Sequence, residues 1–64
     1  MKYIYRIIAL VKFSPSNVRF VNEEFQIVTR EKSQAAAEAV WRRLYGDAYI
    51  LHHFRHVDFI KEVA

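Results

Sequence analysis

Residues 33–46 read SQAAAEAVWRRLYG, and their spacing decides the fold. Ala37, Val40, Trp41 and Leu44 recur three and four apart, so a helix gathers them on one face while Glu38, Arg42 and Arg43 point elsewhere. Ser33 offers an N-cap hydroxyl to a free amide of the first turn. Gly46, the only glycine of the chain, stands where a left-handed C-terminal cap is expected. A helix with one apolar face must lie on an apolar surface. The segments on either side read as strands, so the helix is expected to cover one side of a small sheet.

Upstream, residues 2–13 are β-branched and aromatic and fall into two interleaved rows. Tyr3, Tyr5, Ile7, Ala9, Val11 and Phe13 form the row assigned to the core; Lys2, Ile4, Arg6, Ile8, Leu10 and Lys12 form the other. Ser14, Pro15, Ser16 and Asn17 have the chemistry of a type I turn, with proline pre-setting φ at the second position. A second strand over residues 18–29 changes parity between Val18/Phe20 and Phe25/Ile27, which predicts a β-bulge at Asn22, Glu23 and Glu24. Residues 47–64 carry a third strand, firmest where Val57, Phe59 and Val63 alternate with Asp58, Ile60 and Glu62. Tyr49, Ile50 and Leu51 are either its first residues or a connection packed on the helix end. The expected fold is α+β, a single domain over residues 1–64 with the order ββαβ: a three-stranded antiparallel sheet, strand order 2-1-3, with one helix on one face.

Sixty-four residues are near the lower limit for one self-sufficient core, since a chain of ~60 residues buries only about 60% of its unfolded surface. Cysteine is absent, which excludes disulfides, thiolate metal sites and cysteine nucleophiles. Hydrophobic residues at 53% and aromatics at 16% exclude a disordered chain. The opening MKYIYRIIALVKF is interrupted by Arg6 and followed by no small-residue cleavage site, so it reads as a strand rather than a secretory signal. No apolar run approaches the roughly 20 residues that span a bilayer. A soluble, cytoplasmic protein without membrane attachment is expected.

One helix can shield one side of a sheet, and the other side should then be polar. By strict alternation it is not: Ile4, Ile8 and Leu10 of the first strand, Val28 of the second, and Phe54 and Ile60 of the third all fall there. A contiguous apolar face of this kind marks a binding surface. Ile4, Ile8, Leu10, Phe54 and Ile60 are therefore the expected protein-binding residues, with a second copy or another protein as partner. The alternative is that residues 49–54 fold back as a lid over that side.

Charge points weakly to nucleic acid. The net charge is +3, and on the helix-free side Lys2, Arg6 and Lys12 are matched by Glu24, Asp58 and Glu62, leaving no net field to follow a phosphate backbone. Arg42 and Arg43 read as solvated cations at the helix C-terminus. His52 and His56 share a parity, but four strand residues separate them by ~13 Å, too far for one ion, so no metal or other cofactor is expected. Ser14, Ser16 and Ser33 have turn and cap roles, and no glycine-rich phosphate loop exists. No catalytic residue is assigned, and the chain is not expected to be an enzyme.

Tyr5-Arg6-Ile7 in a first strand, Glu24-Phe25 in a second, an alanine-rich helix ending at Gly46, and His and Arg residues leading into Val57-Asp58-Phe59-Ile60 resemble the LX family of archaeal ribosomal proteins and its eukaryotic large-subunit relatives. The resemblance implies a ββαβ unit that binds ribosomal RNA, with Arg6, His53 and Arg55 at the matching positions. The basic string that follows the family's glycine is here Asp47-Ala48-Tyr49-Ile50-Leu51. Small phage and mobile-element proteins that inhibit host factors are also similar in size and architecture. The expected function is that of a non-enzymatic module acting through protein-protein contacts by self-association. RNA binding of ribosomal type and inhibition of a host nucleic-acid enzyme are the alternatives.

Overall fold

A computed structural model describes residues 1–12 and 19–64. Strand β1 (Lys2–Lys12) lies between β2 (Val21–Thr29) and β3 (Leu51–Val63), antiparallel to both, and helix α1 (Gln34–Tyr45) connects β2 to β3. This is the α+β sheet of order 2-1-3 that the periodicities predict. Phe13, Val18 and the turn expected at Ser14, Pro15, Ser16 and Asn17 lie outside the described residues.

The odd row of β1 faces the helix. Tyr5, Ile7, Ala9 and Val11 are buried there with Ile27, Ala37 and Trp41. Trp41 is the largest of these side chains, and its ring meets Phe54 edge-on at 5.1 Å, Phe25 edge-on at 5.4 Å and Tyr49 stacked at 5.9 Å. Tyr49 and Tyr45 reach Phe25 at 6.2 and 4.8 Å, so the segment after the helix packs on the helix side. It forms no lid over the opposite side. Burial raises the Tyr49 hydroxyl above its ordinary pKa, with electrostatic contributions from Glu23 and Tyr45 acting in the same direction. A proton held more tightly in the folded than in the unfolded chain makes Tyr49 a source of stability that is lost as pH rises past the usual tyrosine range.

Ser33 caps α1 as expected, its hydroxyl accepting from the Ala36 N–H at 3.0 Å. The other end differs from expectation. Gly46 has φ −58° and ψ −34°, a right-handed conformation, and donates its N–H to the Arg42 carbonyl at 2.8 Å. A Cβ at this position would overlap that carbonyl oxygen, so close approach rather than handedness reserves the place for glycine. Leu44, read as part of the buried face, is 59% exposed, and Tyr45 packs on the core instead.

Two further expectations fail, the bulge in β2 and the unbroken alternation of Val57, Phe59 and Val63 with Asp58, Ile60 and Glu62 in β3. The β1–β2 ladder runs without interruption from Tyr3↔Thr29 to Val11↔Val21, so no bulge exists at Asn22, Glu23 and Glu24. The parity change vanished because β2 begins at Val21; Phe20 precedes it. The irregularities are in β3, where Arg55 and Ile60 are each an extra residue opposite an unbroken β1. Every row of β3 changes side at these two points.

Two outcomes check this placement. Gly46→Ala is expected to lower the melting temperature, whereas an ordinary helical glycine would gain ~1 kcal/mol from alanine. Phe54→Asp is expected to abolish cooperative thermal unfolding because it buries a charge against Trp41, while Ile8→Asp on the opposite face retains the far-UV circular dichroism of the fold.

Candidate interaction face of the sheet

The helix-free face is assembled from three ladder rows. β1 contributes Lys2, Ile4, Arg6, Ile8, Leu10 and Lys12; opposite them β2 places Asn22, Glu24, Gln26 and Val28. β3 supplies Leu51, His53, His56, Asp58, Lys61 and Val63, as fixed by their pairing with the same β1 residues. Ile4, Ile8 and Leu10 are half-buried by their neighbours, and Val28, Leu51 and Val63 are exposed around them. The apolar strip therefore runs along the central strand and is covered by nothing among the described residues.

Of the five predicted protein-binding residues, Ile4, Ile8 and Leu10 stand together on this face. Phe54 does not. It pairs with Ala9 and packs on Trp41, because the extra residue Arg55 reverses the alternation between Asp58 and Phe54. Ile60 is itself the second extra residue, outside the paired rows, and is 42% exposed.

The bulges also redistribute charge. Glu62 pairs with Tyr3 on the helix side, and Lys61 takes the place expected for it opposite Ile4. The face thus carries Lys2, Arg6, Lys12 and Lys61 against Glu24 and Asp58, an excess of two positive charges where the parity count finds balance. Arg6 and Asp58 form an ion pair at 3.3 Å, both side chains nearly half exposed, a geometry worth ~0–1 kcal/mol. The Arg6 Nε is buried and has no hydrogen-bond partner among the described residues.

The residues matched to the RNA-binding family separate into three settings. Arg6 is engaged by Asp58, His53 pairs with Leu10 on the same face, and Arg55 occupies the bulge. Phe54 and Phe59 both turn toward the helix side, where Phe59 meets Tyr5 at 5.5 Å and Lys32 Nζ lies 4.6 Å from its ring. Among the described residues no Phe, Tyr or Trp stands in the paired rows of the free face; the exposed ring of Phe20, which precedes β2, lies 5.8 Å from Lys12 Nζ at its end. His52 and His56, placed on one side by uniform alternation, occupy opposite sides: His52 lies 4.8 Å from the Trp41 ring, and His56 pairs with Ile8. Arg42, read as a solvated cation, sits 5.0 Å over Phe54 and reaches Glu38 at 3.6 Å.

No helix among the described residues is long and apolar enough to cross a membrane. Comparison of the chain with protein-family models, with curated proteins and with solved structures yields no match.

Proposed function

We propose that this chain is a non-enzymatic protein-protein interaction module that self-associates by stacking the helix-free faces of two sheets. The observation that carries the reading is the uncovered row Ile4, Ile8 and Leu10 on the central strand. A helix of twelve residues is about 18 Å long. The sheet it lies on extends along a molecule 43 Å in its longest dimension. Among the described residues the buried apolar core is correspondingly small, seven side chains including Ala9 and Ala37. A second sheet stacked on the free face supplies the missing layer.

Area and symmetry favour a second copy. Strands of nine to thirteen residues at ~3.3 Å per residue and ~4.8 Å apart present about 500 Å² per protomer, or about 1,000 Å² for a pair, the size a specific interface has to clear. A two-fold axis over the middle of β1 sets Ile4 of one copy against Leu10 of the other. It leaves Lys2 and Lys12 at the ends, where their ammonium groups reach water.

A second reading, RNA binding, draws support from the positive excess that Lys61 brings to the same face. Salt separates the two. Two like-charged faces repel, so screening strengthens self-association, whereas release of counterions from RNA weakens binding as salt rises.

Light scattering on a sizing column tests the proposal. The wild-type chain is expected to elute as a dimer whose dissociation constant falls between 50 mM and 500 mM salt. Ile8→Asp is expected to weaken the dimer at least about thirtyfold, the loss of one central anchor of ≥2 kcal/mol. A wild-type monomer at every salt concentration overturns self-association. Submicromolar binding to structured RNA that is lost with salt and with Arg6→Glu replaces it with the second reading.

A further inference from the structure

A sheet of three strands has two outer edges, and here they are built differently. The β3 edge is broken by the extra residues Arg55 and Ile60, and bulges of this kind twist an edge away from other strands. The β2 edge has no bulge, and its charged residues are Glu23 in the helix-side row and Glu24 in the opposite one. Its sequence VNEEFQIVT contains no proline, glycine or lysine, and all nine residues stay in register with β1. Among the described residues no strand pairs with its outer side.

An open groove of about 760 Å³ lies between the last residues of that edge and the helix. Val28, Thr29 and Arg30 line it from the strand; Ala36, Ala39 and Arg43 line it from the helix. The alanines keep this flank of α1 low, which leaves room for a backbone at the ~4.8 Å spacing of a paired strand. Lys2, Arg30 and Arg43 all border the groove, with Glu31 as the only acid, and none of the three cations forms an ion pair among the described residues. An unbulged edge and a groove whose lining mixes three cations with Val28, Ala36, Ala39 and Val40 meet at the C-terminal end of β2.

We propose that the outer edge of β2 accepts an extended acidic peptide segment as a fourth strand, lodged between β2 and α1. Main-chain hydrogen bonds to the strand hold it, its carboxylates face Lys2, Arg30 and Arg43, and its alternate apolar side chains rest on Ala36 and Val40. A second copy of β2 fits less well. The antiparallel register about Ile27 that sets Arg30 opposite Glu24 of the other copy also sets Glu31 opposite Glu23, a like-charge pair. The groove meets the helix-free face at Lys2 and Val28, and peptide binding in it does not depend on self-association.

The probe is an end-blocked eight-residue peptide alternating Glu and Val, titrated into isotopically labelled protein. Binding is expected to shift the amide resonances of Val28, Thr29, Arg30, Ala36 and Ala39 and to slow amide hydrogen exchange in β2. Arg30→Glu and Arg43→Glu, both at exposed positions, should each weaken it at least tenfold with unchanged circular dichroism. Of two peptides N-methylated at alternate amides in the two possible phases, one should fail to bind. The proposal is overturned by no shifts at millimolar peptide, by equal binding of a Lys/Val peptide, or by both methylated peptides binding like the parent. Saturation of the same resonances by inorganic phosphate at equal affinity would make the site an anion pocket. Slowed exchange in β2 without peptide would make the occupant another copy.

Discussion

Trp41 is the contact that holds the helix on the sheet. Its indole is fully buried and is bordered by aromatic rings from β2, β3 and the segment that follows α1. Dispersion over so many ring atoms accounts for much of what a chain with few large buried side chains can gather. The cost is visible in the same place, since the indole N–H is buried without a hydrogen-bond partner among the described residues, a loss of ~1–3 kcal/mol. Shape is satisfied there before polarity.

That anchoring sets the division of labour between the two sides of the sheet. Phe54 must face Trp41, yet Asp58 must face Arg6 on the opposite side, and an even spacing of four residues cannot satisfy both on a regular strand. The extra residue Arg55 resolves the conflict. Phe59 follows Asp58 by ordinary alternation and meets Tyr3 and Tyr5 on the helix side. The second extra residue, Ile60, then places Lys61 rather than Glu62 in the exposed row, so the charge of the free face depends on that bulge.

The parts of this arrangement that could be read from residues alone are those governed by local chemistry. Ser33 as a cap, the strict alternation of β1 and the strand order follow from spacing and turn logic, and Ile4, Ile8 and Leu10 stand where alternation puts them. What escaped is non-local. Nothing in HHFRHVDFIKEV marks Arg55 or Ile60 as unpaired, because a bulge is defined by the partner strand and not by its own residue. The phase change between Val18/Phe20 and Phe25 suggested a bulge in β2 because the strand was taken to start too early. Leu44 was misassigned because helical spacing describes a stripe wider than the sheet beneath it, and Tyr45, one residue on, is the better fit. The groove beside β2 has no signature at all in linear order, since Lys2, Arg30 and Arg43 meet only once the chain has folded.

The interrupted ladder of β3 also governs how far such molecules can join. With one open edge, on β2, edge-to-edge joining ends after a single added strand or a single pair. Loss of Arg55 and Ile60 by deletion would leave every other side chain of β3 on its own side and would straighten the strand into a second open edge. A protomer adhesive at both borders joins head to tail and grows by repeated addition into a filament unless the rotation closes it into a ring. Two residues that no register requires are therefore what keeps this sheet finite.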